Sequence, residues 1–166
     1  MSDATSGLTP EELGAYFALV EVANLLQYAV DGHLRAEGDL SYLQFQILAT
    51  LTDAPGGRLR MTDLADGLVH SRSGLTYQAG LLDKRGLITR APSPDDERSV
   101  MVTVTDAGRA LVGRVLPGHV ADVRRLLLDP MTAGDLATLN DVLGRVRRHM
   151  RATPPRSARP RVKRKN

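Results

Sequence analysis

Two arginines stand where side chains can do recognition chemistry. Arg98 closes a polar turn, Ser93-Pro94-Asp95-Asp96-Glu97-Arg98, set between two β-prone runs, Leu87-Ile-Thr-Arg90 and Val100-Met-Val-Thr-Val104. A guanidinium carried on a hairpin tip suits a narrow minor groove, where negative potential is concentrated. Asp96, two residues earlier, can orient it or accept backbone donors in the turn. Arg72 lies at the start of a helix-like segment running from Ser71 to about Arg85, with Ser71, Ser73, Thr76, Tyr77 and Gln78 in the same half. The positive end of the helix dipole lies there too. Arg72 has the fork geometry for a guanine edge, and Gln78 can pair with adenine. Ser71, Ser73 and Thr76 suit phosphate or mixed contacts, which set register rather than sequence. Ser71 serves equally well as a plain helix cap. Arg90, on the first β-run, is a further phosphate candidate.

Enzymatic chemistry finds no foothold. The chain has no Walker loop, no Gly-x-Gly-x-x-Gly after a strand and no His-Glu-x-x-His. Its histidines, His33, His70, His119 and His149, are isolated in sequence, and Asp95-Asp96-Glu97 reads as a turn rather than a cation cluster. No catalytic residue, metal site or cofactor is expected. Cysteine is absent, which excludes disulfides, thiolate catalysis and cysteine redox sensing.

The elements that must position these residues are mostly helical. Thr9-Pro10-Glu11-Glu12 has the pattern of a capping box with proline in the first turn. Leu13, Phe17, Val20, Leu25, Leu26 and Val30 then follow at roughly helical spacing to about Arg35, before Gly38-Asp39 breaks the run. Ser41 caps a second helix bearing Phe45, Leu48 and Leu51, stopped by Pro55-Gly56-Gly57. Thr62 is expected to cap a short third helix with Leu64, Ala65 and Leu68 inward. Ser71 caps the fourth, and Gly86 ends it as a left-handed residue. After the hairpin, Thr105 starts a helix that Pro117 should bend or divide, and Thr132 caps a last one with Leu136, Leu139, Leu143 and Val146 on one face. The expected fold is mainly α with a small β-hairpin wing: a winged helix-turn-helix core, about residues 41–104, between terminal dimerisation helices, about 9–37 and 105–150. Helix, turn, helix and hairpin in this order form a DNA-binding layout, one helix entering the major groove. Apolar stripes on both terminal helices point to a second copy of the chain.

Composition agrees. The 166 residues suffice for one domain with extensions. No secretory signal is apparent and no apolar run looks long enough to span a bilayer, so a cytoplasmic protein without a membrane partner is expected. The net charge of +3 hides an asymmetry. Residues 151–166 hold 7 of the 22 basic residues and no acid, leaving 15 basic against 19 acidic in the body, a net −4. With Pro154, Pro155 and Pro160 and almost nothing apolar, this segment is expected to be a disordered basic tail, and residues 1–8 a flexible start.

The string Asp96-Glu97-Arg98-Ser99-Val100-Met101-Val102-Thr103-Val104-Thr105-Asp106-Ala107-Gly108 resembles the wing signature of the MarR family of bacterial transcriptional regulators, with Val104 in place of a leucine. Met61-Thr62-Asp63-Leu64-Ala65 and Leu82-Asp83-Lys84-Arg85-Gly86-Leu87-Ile88 are similar to neighbouring elements of that family, and the likeness in element order covers about residues 10–150. The resemblance implies a triangular homodimer on pseudo-palindromic double-stranded operators, usually a repressor released by a small ligand. It implies the same division of roles for Asp96 and Arg98. Tyr77 stands where the family commonly has arginine, exchanging a phosphate contact for a hydroxyl or stacking one. The implied effector is a small aromatic or phenolic anion held between the dimerisation helices and the winged helix, with Tyr28, His33, Tyr42 and Phe45 as candidate lining. A different class of reading is an architectural, weakly specific DNA-associated protein driven by the basic tail.

Overall fold

The computed structural model describes residues 7–93 and 96–152; of residues 96–98 it describes the backbone only. The expected hairpin tip at Pro94-Asp95 and the tail from residue 153 lie outside these. Among the described residues, six α-helices and three strands follow in the order α1 (Pro10–Gly38), α2 (Tyr42–Asp53), β1 (Arg58–Arg60), α3 (Met61–Leu68), α4 (Arg72–Lys84), β2 (Ile88–Ser93), β3 (Asp96–Val104), α5 (Asp106–Val123) and α6 (Ala133–Ala152).

Local chemistry sets most helix starts. Thr9 Oγ1 accepts from the Glu12 amide while Glu12 Oε2 accepts from the Thr9 amide, a reciprocal box that satisfies two amides otherwise orphaned at the helix end. Ser41 and Gln44 repeat it on α2, and Thr132 and Asp135 on α6. Single caps from Ser71 to Gly74 and from Thr105 to Gly108 start α4 and α5. Gly86, at φ +70°, follows the end of α4 as a left-handed residue that glycine adopts without a Cβ penalty.

Four expectations change. The sheet has three strands, not two, in the order β1-β3-β2 and all antiparallel; β1 pairs Leu59 with Val102. Helix α3 starts two residues earlier than expected, with Arg60 rather than Thr62 at its cap, because β1 runs straight into it. Pro117 does not divide α5, which runs on to Val123 and widens into a π turn at Arg124–Leu128. Lastly, α1 contains an 18-residue window of mean hydropathy 1.4 with no more than two charges, enough by length and composition to cross a membrane. Polar residues Glu21, Asn24, Gln27, Asp31 and Arg35 interrupt the run in sequence, yet fall on one stripe of the helix at three- and four-residue steps.

The core joins α2, α3, α4 and the sheet to the terminal helices. Leu34, Leu48, Leu51, Leu64, Leu75, Leu82, Val102 and Val115 are fully buried in it, and each such side chain contributes roughly 1.5–3 kcal/mol by leaving water. Helix α1 docks its C-terminal half on α5, Gly38 lying where a Cβ would crowd Val115 and Leu111. The rest of α1 and all of α6 contribute almost nothing to this core. No residue of α6 is buried.

Candidate nucleic-acid interface

Helix α4 is anchored by Leu75, Ala79 and Leu82, all in the core. That periodicity leaves Arg72, Ser73, Thr76 and Tyr77 on the opposite, exposed face, Tyr77 with 65% of its surface open. Ser71 Oγ is committed to the cap, and Thr76 Oγ1 donates to the Arg72 carbonyl at 2.7 Å, so both hydroxyls are locally held. Gln78 lies at the seam with α2, half-buried, its Oε1 accepting from Gln44 Nε2 at 2.9 Å. A short turn from α3, His70-Ser71, precedes the helix, and Val69 ends α3 in the left-handed region at φ 56°.

The wing rises beside this face. Strands β2 and β3 pair from Ile88↔Val104 to Ser93↔Asp96, with an irregularity between Pro92 and Ser93. Arg98 is thus the third residue of β3, on the backbone just past the turn rather than at its apex. Arg90, expected to reach phosphate, has its Nε donating to Asp83 Oδ2 at 3.0 Å. That half-buried pair ties the base of the wing to α4.

Several positioning groups went unrecognised in the sequence because they act across elements distant in the chain. Arg85 donates to the carbonyls of Asp39 (2.6 Å) and Gly38 (3.2 Å), closing the C-terminal end of α1 from the end of α4. Arg109 reaches the Thr52 carbonyl at the end of α2, over Gly57, where a Cβ would overlap the guanidinium. Thr105 bonds through its amide to Leu87 O and through its hydroxyl to Gly86 O, setting α5 on the turn that follows α4. At Gly108 a Cβ would overlap the Leu87 carbonyl oxygen. The glycine in the wing signature is there for close approach of backbone to helix.

The expected effector residues separate. His33 Nε2 lies 3.3 Å from the Val115 carbonyl, its ring seated on Gly118, and Phe45 is buried against His119 at a centroid distance of 4.7 Å. Burial, reinforced by the neighbouring His33 and opposed by Asp122, pushes the His119 imidazole below its ordinary 6.5. Its Nδ1 is buried without a partner among the described residues. Tyr28 stays away from this group on the outer side of α1, 84% exposed. Tyr42 is half-buried at the start of α2, its amide donating to Asp31 Oδ1. The hydrogen bond from Arg35, helped by the Tyr42 amide, holds the Asp31 carboxyl below its ordinary 3.8 against the opposing cost of burial. A cleft of about 530 Å³ opens between the end of α1, the start of α2 and α4, with Arg35, Lys84 and Arg85 as cations and Leu40, Leu81 and the Tyr77 ring as apolar lining. No cluster of three or more metal-ligating side chains occurs among the described residues.

Residues 38–99, from the end of α1 to the wing, match the MarR family model. The HTH-type transcriptional regulator PecS of Dickeya dadantii is 34% identical over 134 residues, covering 80% of this chain and 79% of PecS. The chain belongs to the MarR family. Among solved structures, Sco3205, a MarR family transcriptional regulator from Streptomyces coelicolor in complex with DNA, superposes with a TM-score of 0.82 at 31% identity, over 86% of this chain and 93% of that one. AbsC, a family member from the same organism, gives 0.83 at 31% identity, over 89% and 99%. Membership accounts for the winged-helix order of α2, α3, α4, β2 and β3.

Proposed function

We propose that this chain is a cytoplasmic, sequence-specific DNA-binding transcriptional regulator acting as a homodimer, a repressor released by a small anionic ligand. The observation that carries the reading is the exposed row Arg72, Ser73, Thr76 and Tyr77 on a helix whose other face is locked in the core, beside a wing tied to it by Arg90–Asp83. A rigid helix with a fork-shaped cation in its first turn is suited to the major groove. Arg98, with Asp96 to orient it, is assigned to the adjacent minor groove, and Ser71, Ser73 and Thr76 to backbone contacts. The likeness to a DNA-bound family member supports the same placement.

Two copies are required by what the monomer leaves open. Leu13, Phe17, Val20 and Leu25 on α1, with Leu136, Leu143, Val146 and Met150 on α6, are exposed large apolar side chains. Exposed apolar side chains on both terminal helices mark an association surface, and a two-fold dimer would set two α4 helices for successive major grooves, about 34 Å apart. It also assigns the apolar length of α1 to a protein interface rather than a bilayer. For the effector, a small aromatic or phenolic anion, the 530 Å³ cleft has the size of a ligand pocket. Tyr77 and Gln78 line it, so an occupant would touch α4 directly.

Titration of the protein against duplexes tiled across its own upstream region, with excess random competitor at fixed salt, tests the reading. One inverted-repeat site should survive competition. Arg98→Ala should weaken binding to it, and Arg72→Ala should also relax base preference. Equal affinity of both variants and wild type would sink the proposal.

A further inference from the structure

Helix α6 ends against the short helix that leads into α4. Arg151, in the last turn of α6, donates through Nη2 to the Gly67 carbonyl of α3 at 3.4 Å, across 84 residues of chain. That carbonyl is one of the last four of α3, left without a partner inside the helix, and a cation there also meets the negative end of the helix dipole. Gly67 stands five residues before Arg72. Steps of 3.8 Å between successive Cα atoms therefore keep the two within about 19 Å of each other. The chain leaves α6 beside α3, close to the exposed row Arg72, Ser73, Thr76 and Tyr77.

The fourteen residues after Ala152 carry six cations, Arg156, Arg159, Arg161, Lys163, Arg164 and Lys165, and no acid. The charge begins inside α6, where Arg147, Arg148 and Arg151 are exposed and have no carboxylate partner among the described residues. Fully extended, fourteen residues span at most about 46–50 Å, so a duplex seated on α4 lies within their reach. Helix α3 offers two exposed carboxylates nearby, Asp63 and Asp66. Two anions against six cations leave at least four cations for another polyanion.

We infer that residues 153–166 act as a phosphate-binding arm that grips the duplex backbone flanking the half-site read by α4 of the same protomer. The inference rests on α4 being the reading helix. With that helix and the wing filling the grooves of the half-site, the backbone open to the arm is the stretch beside it. Phosphate contacts carry no sequence information, so the arm adds affinity without changing which site is chosen. Its tether to α6 makes the second contact intramolecular, at high effective concentration once α4 is docked.

A variant of unchanged length, R156Q/R159Q/R161Q/K163Q/R164Q/K165Q, tests the arm against wild type on two duplexes. One is the operator with about ten base pairs of flank on each side, a helical turn; the other is the bare inverted repeat. With three of the six cations on phosphates, the salt slope on the flanked operator should fall by about 2.7, making the variant's loss about 40-fold larger at about 50 mM salt than at about 200 mM. Trimming to the bare repeat should remove most of that difference, and hydroxyl-radical footprints should lose protection only outside the half-sites. Equal salt slopes for the two proteins on the flanked operator overturn the inference while leaving the regulator reading intact. A slope difference of the same size on the bare repeat overturns it too, since the cations would then lie within the half-site. A wild type that selects no site overturns both readings.

Discussion

Replacing Phe17 by alanine should split the dimer while leaving each protomer folded. Phe17 lies on the half of α1 that makes little contact with the core, and 60% of its surface is open in the single chain. A phenylalanine side chain buries about 150–250 Å² when fully covered, so about 90–150 Å² awaits a partner. At about 25 cal/mol per Å² this amounts to roughly 2–4 kcal/mol for each copy, and two-fold symmetry counts it twice. Ordering and imperfect fit at interfaces consume much of such area-based gain. With about half surviving, Phe17→Ala should weaken dimerisation by about 3 kcal/mol, or about 100-fold in Kd. Sedimentation equilibrium over a dilution series measures this directly, with far-UV circular dichroism as the check on folding. Operator affinity should fall at the dilutions where the variant becomes monomeric, because one half-site holds one reading helix. An unchanged dissociation constant would show that the exposed face of α1 is not the interface. It would also return the apolar length of that helix to the list of features without a role.

Other expectations follow from particular contacts. Gly108→Ala forces a methyl group into the Leu87 carbonyl that seats α5, an overlap with backbone that cannot swing aside; a loss of about 3 kcal/mol and a fall in Tm of about 6–12 °C are expected by thermal melting. His119 is held below 6.5 by burial and by His33, so the unfolded chain binds more protons as pH falls through that value. Wild-type stability is therefore unpenalised above it and declines below it, and His119→Gln should lose that part of the slope in urea midpoints measured from about pH 8 to 5. Deleting residues 153–166 removes Arg156, Arg159, Arg161, Lys163, Arg164 and Lys165. The salt slope of operator binding should drop by no more than about 5, on about 0.9 per phosphate neutralised, with site preference retained. Loss of most binding together with a flattened salt slope would favour the architectural reading.

Helix starts, the left-handed glycine and the order of elements were legible in the chain because each is local. Thr9 with Glu12, Ser71, Thr105 and Thr132 act within one turn, and Gly86 answers to its own φ. The wing signature was legible for the same reason, its residues being contiguous from Asp96 to Gly108. What spans elements was not. Three residues, Arg58-Leu59-Arg60, are too few to announce a strand, and only pairing with β3 makes them one. Arg85, Arg109 and Arg90 look alike as surface cations in sequence; folding commits the first two to helix ends and the third to Asp83. Tyr28, His33, Tyr42 and Phe45 looked like one group by proximity along two helices, yet helical phase turns Tyr28 outward and His33 and Phe45 towards α5. By itself, then, the order of residues determined which segments are helices and where the family's wing signature lies, since propensity, capping and contiguous motifs are written position by position. Only the tertiary structure decided which of those groups are spent holding the molecule together, and which way Gln78 turns its amide, because both depend on partners in other elements of the fold.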